Sequence, residues 1–463
     1  MNARNAMPTA ALIQKYNVPG PRYTSYPTVP FWDADTFSER LWIDRLQTAF
    51  RLSNRPQGIS LYVHLPYCES LCTFCGCNKR ITRNHAVEEP YVDALLKEWN
   101  LYCDLLPERP RLAELHLGGG TPSFFRPEAL RRLLNGIFSR ADRAPDHEYG
   151  WEGHPTNTTR DHLQTLFDAG FTRVSFGVQD YDPVVQKAIH RFQPFEQVQH
   201  VTELARNIGY TSISHDLVFG LPFQQPESVE NTVEKTLLLK PDRISFYSYA
   251  HVPWIKGNGQ RGFRDEDLPS GEEKRQLYEI GRELFEWAGY AEIGMDHFAL
   301  PHDALHRAMD TGTLHRNFMG YTTTRTRVML GLGVSSIGDV WSAFAQNEKD
   351  LERYLERVNA GQLPLLRGHG LSREDLYFRR HILNIMCRFE THWHRDDWKH
   401  HEPDFGELAE KLAGFEADGL IDWDLKGLRV RPAGRPFLRN LCMAFDQRMM
   451  QAQTQERLFS QTI

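Results

Sequence analysis

Four cysteines fall within ten residues of the chain and form its densest group of reactive side chains. Residues 67–77 read YCESLCTFCGC, which places thiols at Cys68, Cys72, Cys75 and Cys77. Thiolates are soft ligands that suit iron-sulfur clusters or zinc. The chain has seven cysteines, an odd number, and the other three are scattered singly, so a disulfide framework is not indicated. The spacing therefore predicts a metal centre.

The CxxxCxxC part of this cluster indicates which metal centre to expect. Zinc sites usually combine two separated pairs of cysteine or histidine, and no second pair follows downstream. Three thiolates can instead hold three irons of a [4Fe-4S] cluster and leave the fourth iron open. The amino and carboxylate groups of S-adenosylmethionine (SAM) can bind that iron, and an electron from the cluster can then cleave the sulfonium to release a 5'-deoxyadenosyl radical. We predict such a cluster on Cys68, Cys72 and Cys75, with zinc as the alternative.

Six β-rich runs alternate with amphipathic stretches of helical period, and these elements must position the cysteines. The runs span residues 59–65, 114–120, 148–152, 173–180, 212–222 and 243–252. Alternating strands and helices favour a parallel α/β sheet, here a partial (β/α)6 TIM-like barrel. The cysteines directly follow the first strand, so they should lie at the rim where barrel enzymes carry their active sites.

Further polar or flexible residues follow the next strands. A glycine triplet, residues 118–120, ends the second run, Glu152 ends the third, Gln179 ends the fourth, and Asp216 lies in the fifth. Each alone could be a turn residue or a helix cap. Because the carboxyl ends of parallel strands meet at one rim, their serial placement predicts one shared site.

The chain is long enough for more than one domain, and we predict three regions. Residues 1–50 form an N-terminal extended and helical segment, residues 51–364 the barrel, and residues 365–463 a mainly helical, winged-helix-like domain. The stretch 21–28, PRYTSYPT, should be extended. Asp422 and Asp424 lie on the predicted hairpin of the last region, which favours a packing role over DNA binding.

Bulk properties limit the location and partners of the protein. The net charge of -6 and pI near 6.4 give no overall attraction to nucleic acid. No apolar run approaches the ~20 residues of a membrane span, and the first residues do not read as a signal peptide. We expect a cytoplasmic monomer without membrane insertion.

Several stretches together resemble one family, the oxygen-independent coproporphyrinogen III oxidases of the radical SAM superfamily. The resemblance covers nearly the whole chain. Its most specific marks are Cys77 followed by Asn78-Lys79, the PRYTSYPT segment, and GMDHFA at residues 294–299. The matching stretches are residues 21–28, 62–79, 118–122, 176–180, 216–222, 294–299 and 314–322.

The resemblance implies residue roles that spacing alone does not supply. It places Cys77, which is not a cluster ligand, and Tyr62 among the catalytic residues. The cluster-bound SAM would contact Tyr62, Gly119, Glu152 and Ile337. A second SAM would contact Phe74, Gly120, Thr121, Gln179, Arg191, Asp216 and Ala250.

The implied reaction converts two propionates of coproporphyrinogen III to vinyl groups, with loss of carbon dioxide, in haem biosynthesis. Its reductant and electron acceptor are not identified by the sequence. The substrate is a tetracarboxylate, so cationic side chains should line its site. The candidates by charge are Arg22, Lys79, Arg80 and Arg316.

One departure and two alternatives accompany this interpretation. After Glu152 the chain reads GHPT, where many relatives carry an acidic residue before the proline and a basic one after it; His154 either fills that space or is a plain loop residue. The alternatives are a haem-binding chaperone and a radical enzyme that opens or methylates a haem ring. Cys77 and the PRYTSYPT segment favour the oxidase.

Overall fold

A computed structural model describes residues 8–255, 259–260, 262–393, 402–451 and 458–463, without the side chains of residues 402–405. Parts of the predicted C-terminal helices, residues 394–401 and 452–457, lie outside the described residues. Within the described ranges, none of the helices combines the length and hydropathy that a bilayer crossing requires.

The strands of the described residues fall into one large sheet and three small ones. They are β1 (Ile59–Leu65), β2 (Tyr67–Cys68), β3 (Arg80–Ile81), β4 (Arg111–Gly119), β5 (Asp142–Gly153), β6 (Arg173–Gln179), β7 (Ser212–Phe219), β8 (Arg243–Ser248), β9 (Ala291–Glu292), β10 (His297–Ala299), β11 (His315–Asn317), β12 (Gly320–Thr322), β13 (Met329–Leu332), β14 (Ile337–Asp339), β15 (Ala343–Asn347), β16 (Leu365–Gly370), β17 (Glu390–His392), β18 (Ile421–Asp424) and β19 (Gly427–Val430).

The helices alternate with the strands through the first half of the chain and dominate its end. They are α1 (Ala10–Tyr16), α2 (Glu39–Ser53), α3 (Glu88–Leu105), α4 (Pro127–Arg140), α5 (Arg160–Asp168), α6 (Pro183–Ala188), α7 (Phe195–Ile208), α8 (Pro226–Leu238), α9 (Gly271–Trp287), α10 (Ala304–Asp310), α11 (Leu351–Asn359), α12 (Arg373–Arg388), α13 (Glu402–Ala417), α14 (Leu438–Ala444) and α15 (Gln447–Gln451).

The six predicted barrel strands lie side by side in the order β1-β4-β5-β6-β7-β8, and every neighbouring pair is parallel. This confirms the partial (β/α)6 barrel. β1, β4 and β7 are almost continuously buried, as strands covered on both faces must be. Their carboxyl ends therefore form one rim.

The large sheet continues beyond the six strands at both edges. On one side β13 pairs parallel with β1, and β14, β15 and β16 follow antiparallel. On the other side β10 pairs antiparallel with β8, and β9 pairs antiparallel with β10. The end strands β16 and β9 do not pair with each other in the described part of the chain, so the barrel is open.

The end of the chain is mainly helical, as predicted, with a small sheet of order β17-β19-β18. The division after residue 364 stays a prediction. The next strand, β16, still pairs with β15 of the large sheet, and the helical region begins with α12. Ser372 caps α12, because its hydroxyl accepts from the Asp375 backbone N–H.

The two ends of the chain pack together in a region that we call the tail junction, residues 16–23, 437–446 and 458–463. The Gly20 N–H donates to the Ser460 carbonyl at 3.0 Å, and the Thr462 N–H donates to the Val18 carbonyl at 2.9 Å. The PRYTSYPT segment enters this junction bent rather than extended, with Tyr23 at φ +48° and only 1% exposed. Segments that are far apart in sequence are thus joined by backbone hydrogen bonds in the tail junction.

Candidate active site

A cavity of about 380 Å³ opens at the carboxyl rim of the six parallel strands. It collects most of the side chains that the sequence singles out. The predicted residues that line it are Cys68, Cys72, Phe74, Cys75, Cys77, Lys79, Gly119, Gly120, Thr121, Glu152, Gln179, Arg191 and Asp216.

The cysteine loop is closed by the short parallel pairing of β2 with β3, which joins Tyr67 to Arg80 and Cys68 to Ile81. The Thr73 N–H donates to the Ile189 carbonyl at 3.0 Å and fixes the middle of the loop to the end of α6. Backbone hydrogen bonds of this kind hold a loop that has little regular structure.

Polar groups around the cavity face the cysteine sulfurs. The Thr121 hydroxyl donates to Cys68 Sγ at 3.2 Å, and Arg191 Nη1 lies 3.7 Å from Cys72 Sγ. Burial raises the pKa of the Cys68 thiol to about 11, although the Thr121 hydrogen bond opposes that effect. Iron binding must therefore supply the free energy that deprotonates this buried thiol.

Cys75 and Cys77 interact directly and differ in protonation. The hydrogen bond from Cys77 lowers the pKa of the Cys75 thiol, and nearby Lys79 lowers it further, although burial opposes both effects. The same hydrogen bond raises the pKa of Cys77. Cys75 is therefore disposed to be a thiolate ligand, and Cys77 to be the thiol that donates to it.

The donor set fits a multinuclear cluster. Within the described ranges, no three cysteine, histidine or carboxylate side chains converge where a single metal ion could sit. In a cubane each thiolate binds a different iron, so the ligands need only surround a shared space. Cys68, Cys72 and Cys75 all line one cavity, which is the arrangement that a [4Fe-4S] cluster requires.

Glu152 lies in this cavity with a side chain that is 44% exposed. Its Oε1 is 3.2 Å from His116 Nε2, and its Oε2 accepts from the Gly119 N–H at 3.3 Å. Burial would raise the pKa of Glu152, but the hydrogen bonds from His116 and from the Gly119 N–H lower it. A Cβ at Gly118 would lie 2.8 Å from Glu152 Oε1, so only glycine leaves room for this carboxylate.

The part of the cavity that follows β6 carries Gln179 and Arg191. Both side chains lie over Gly177, where a Cβ would come within 2.6 Å of Gln179 Nε2 and 3.0 Å of Arg191 Nη2. Arg191 Nη2 donates to the Gly177 carbonyl at 2.6 Å. Asp216 accepts a short hydrogen bond from Ser175, and burial raises the pKa of Asp216. This part of the cavity presents amide and guanidinium donors beside a carboxylate.

Three predicted SAM contacts lie outside the lining of the cavity. Tyr62 stacks on His116 with ring centroids 6.1 Å apart, and its hydroxyl is 3.2 Å from His64 Nδ1. The Ala250 carbonyl accepts from Gln260 Nε2, which also donates to the Phe74 carbonyl. Ile337 begins β14, two strands beyond β1 in the sheet.

The four substrate candidates divide between different environments. Lys79 lines the cavity. Arg80 is exposed and pairs with Glu352 at 3.0 Å. Arg22 donates to the Ser248 carbonyl and lies 3.9 Å from Asp296, while Arg316 stacks over the Tyr321 ring at 4.5 Å. The structure thus brings only Lys79 of the four to the cavity.

His154, at the departure from the family pattern, lines the cavity. Its Nδ1 is 2.8 Å from the Thr156 hydroxyl. Burial, and then the charge of Arg191, lowers the pKa of His154 well below its usual value, so the imidazole is neutral there. It fills the space after Glu152 without adding a charge.

Other cavity residues carry no motif that could identify them from the sequence. His190 and Phe192 flank Arg191, and Arg83 follows the cysteine loop. His116, which contacts Glu152, lies two residues before the glycine triplet, and that position on β4 was the only available signal.

Comparison with known proteins gives consistent matches over nearly the whole chain. Residues 62–236 match the family described as the radical SAM superfamily. An oxygen-independent coproporphyrinogen III oxidase of Escherichia coli K12 is 41% identical over 439 residues, 94% of each chain. Its namesake in Helicobacter pylori J99 is 40% identical over 443 residues, 93% of this chain and 95% of the relative. The solved structure of Escherichia coli coproporphyrinogen III oxidase, described as a radical SAM enzyme, matches with a TM-score of 0.87 and 37% identity over 95% of this chain and 98% of that one.

Proposed function

The chain belongs to the family of oxygen-independent coproporphyrinogen III oxidases, since relatives of that name are 40% and 41% identical over 93% and 94% of its length, and we propose that it performs their reaction in haem biosynthesis. The observation that carries this proposal is the joint presence of three cluster thiols and Glu152 in one rim cavity. The reaction removes hydrogen and carbon dioxide from two propionates of coproporphyrinogen III and leaves two vinyl groups.

When bound, a [4Fe-4S] cluster and SAM supply a 5'-deoxyadenosyl radical able to take hydrogen from an unactivated C–H bond. The chain holds that cluster through Cys68, Cys72 and Cys75. Glu152 keeps its carboxylate ionised and half-exposed, so it can accept hydrogen bonds from the ammonium group of SAM. Tyr62 stacks on His116 behind it and limits the directions that the carboxylate can take.

A second SAM would be held by the part of the cavity that follows β6 and β7. Gln179 and Arg191 present donors for its carboxylate, and Asp216 presents an acceptor for its ammonium. The Gly120 backbone and the Thr121 side chain border the same space. Ala250 and Phe74 are held to each other through Gln260, which supports a contact from both.

The porphyrinogen enters at the mouth of the cavity, where Lys79 is the cation placed to receive a propionate. We propose that the protein acts as a monomer, because one chain already supplies the cluster thiols, Glu152 and Asp216. We place the protein in the cytoplasm, because its described cysteines are free thiols and an open-iron cluster needs a reducing compartment. An electron donor for the cluster and an acceptor for the product electron are required.

An anaerobic assay tests the proposal. Iron-reconstituted protein is mixed with a strong reductant, SAM and coproporphyrinogen III, and both 5'-deoxyadenosine and decarboxylated porphyrin are followed. We expect both products to form together and neither to form with Cys72→Ser. Formation of 5'-deoxyadenosine without decarboxylated porphyrin would refute the proposal that coproporphyrinogen III is the substrate. Haem turnover would then be tested. An intact cluster with neither product would favour a haem-binding chaperone.

A further inference from the structure

His116 contacts Glu152 from a position that the register of the sheet determines. Parallel pairing sets Tyr62 of β1 beside His116 of β4, His116 beside Gly150 of β5, and Gly150 beside Arg173 of β6. These four residues therefore form one row across four strands, on the face that carries Glu152 two residues beyond Gly150. Side chains in such a row are close enough to interact.

The glycine in this row gives Arg173 a path to His116. A Cβ at Gly150 would lie 2.7 Å from Arg173 Nη2 and 2.8 Å from Arg173 Cζ, so the guanidinium lies flat on the glycine. Arg173 Nη2 then comes within 3.5 Å of His116 Nδ1. Arg173 is itself held by Glu148, whose Oε1 is 3.1 Å from Arg173 Nε.

The contact with Arg173 determines which nitrogen of His116 carries the proton. A guanidinium has only N–H donors at neutral pH, so it can hydrogen-bond only to an unprotonated ring nitrogen. His116 Nδ1 therefore accepts, and the proton lies on Nε2. That nitrogen is 3.2 Å from Glu152 Oε1 and donates to it. His116 is 6% exposed, which keeps water from competing for these contacts.

We propose that Arg173 and His116 form a positioning relay that fixes the direction of Glu152 toward the amino group of SAM. His116 is a positioning residue and does not touch SAM. The His116 Nε2–H donates to Glu152 Oε1, and the Gly119 N–H donates to Glu152 Oε2. The other lone pairs of this carboxylate are left for a ligand in the cavity. The inference rests on the proposed function, because it takes SAM as the ligand of Glu152.

The test compares His116→Phe with His116→Gln. Phenylalanine keeps a flat ring against Tyr62 but has no donor, whereas glutamine can place an amide N–H near the position of Nε2. The dissociation constant for SAM is measured by equilibrium dialysis on cluster-loaded protein, alongside iron content. We expect SAM binding to weaken about 10-fold or more in His116→Phe and to return to within about 3-fold of the wild type in His116→Gln, because a hydrogen bond to a charged group is lost and restored.

His215→Phe serves as the matched control. His215 is a fully buried imidazole on β7 whose Nε2 is 2.9 Å from the Thr202 hydroxyl, and it alternates with Asp216, so it faces away from the cavity. It should lose stability without losing SAM affinity. Equal SAM affinity in His116→Phe and the wild type would overturn the relay, as would equal weakening in the Phe and Gln variants. Failure of the loaded wild type to bind SAM would instead refute the proposed function.

Discussion

The cavity and the tail junction both bury charged side chains, but they treat them in opposite ways. Glu152 in the cavity receives one donor on each oxygen and leaves 44% of its side chain exposed. Arg439 in the tail junction is only 5% exposed and donates to the carbonyls of Gly20, Pro21, Gln461 and Thr462. The first charge keeps hydrogen-bonding capacity for a ligand, and the second uses its capacity on the chain itself.

This difference accompanies burial and explains why a structural charge is unavailable to a ligand. Asp180 illustrates the point, since it ends the same strand region as Gln179 and carries a carboxylate near the rim. It is fully buried and accepts from Gln224 Nε2 at 2.6 Å and Thr232 Oγ1 at 2.9 Å. Its acceptors are occupied by the protein, and it lies outside the cavity lining.

The largest expected effect comes from removing a cluster ligand. Cys68→Ser, Cys72→Ser or Cys75→Ser should abolish [4Fe-4S] assembly and all activity, because serine is a poor ligand for iron in such clusters. Cys77→Ser should retain the iron and the absorbance of the cluster, since Cys77 donates to Cys75 rather than binding iron. Iron content and visible absorbance after anaerobic reconstitution decide the matter; loss of iron in Cys77→Ser contradicts the ligand assignment.

The next largest effect is expected from Glu152, whose carboxylate remains accessible to a ligand. Glu152→Gln removes the charge that receives the SAM ammonium, so the dissociation constant for SAM should rise about 10- to 100-fold. Iron content should stay the same, because Glu152 does not hold the cluster. Asp182→Asn is the matched control, as Asp182 caps α6 through its contacts with the Val184 and Val185 N–H groups. Unchanged SAM affinity in Glu152→Gln would show that the free hydrogen-bonding capacity of Glu152 is not used by SAM, and the contrast between the cavity and the tail junction would fail.

Arg439→Met tests the role of the buried guanidinium in the tail junction. It leaves four main-chain carbonyls without their donor, and we expect a loss of stability on the order of 3 kcal/mol with unchanged SAM affinity. Chemical unfolding gives the stability. Arg429→Met, which breaks an exposed pair with Glu390 at 3.2 Å, should cost no more than about 1 kcal/mol. Similar losses in the two variants would mean that the four carbonyl contacts contribute little.

The last expected effect is a change in the pH dependence of stability. Lys274 Nζ donates to the Tyr249 and Ile463 carbonyls, and burial, followed by the charges of Arg22 and Arg439, lowers the pKa of Lys274 to about 7. Between that pH and the pKa of an unfolded lysine, about 10.4, the unfolded chain binds more protons than the folded chain. This group therefore makes stability rise as pH increases through that interval.

Lys274→Met should remove that contribution. Relative to the wild type, the variant should be most stable near pH 6.5 and should lose its advantage by pH 9.5. Midpoints of chemical unfolding at several pH values test this, with Lys97→Met, which changes an exposed lysine, as the control that should follow the wild type. Parallel profiles for the wild type and Lys274→Met would show that the Lys274 cation is not disfavoured by the fold.

The sequence predicted those features that depend on neighbours along the chain. The run 59–65 coincides with β1. The cysteine loop was recognisable because the spacing of its thiols along the chain indicates a metal-binding site by itself. Strand β13 could not be found this way, since its partner β1 lies some 270 residues earlier and only the sheet brings Met329 beside Ser60.

In the candidate site, too, the sequence predicted only the features that depend on neighbours along the chain. Glu152 and Gln179 lie at strand ends, Asp216 lies within the fifth predicted strand, and all three could be proposed from position along the chain. The contact between His116 and Arg173 depends on the register of three strands and on the missing side chain of Gly150, which no local pattern reveals. The proposed SAM contacts of Ile337 and Ala250 rest on family resemblance and remain predictions.

The open sheet has a consequence for how proteins of this fold can diverge. In a closed barrel, the number and stagger of the strands together determine the diameter, so the mouth cannot widen without an added strand. Here β13 to β16 and β9 to β10 are appended at the two free edges, outside the six units that carry the cysteine loop and Glu152. Lengthening or shortening these edge hairpins changes the aperture while the chemistry stays in place. We expect the choice of substrate to have evolved in the edges and the radical machinery to have been inherited with the six units.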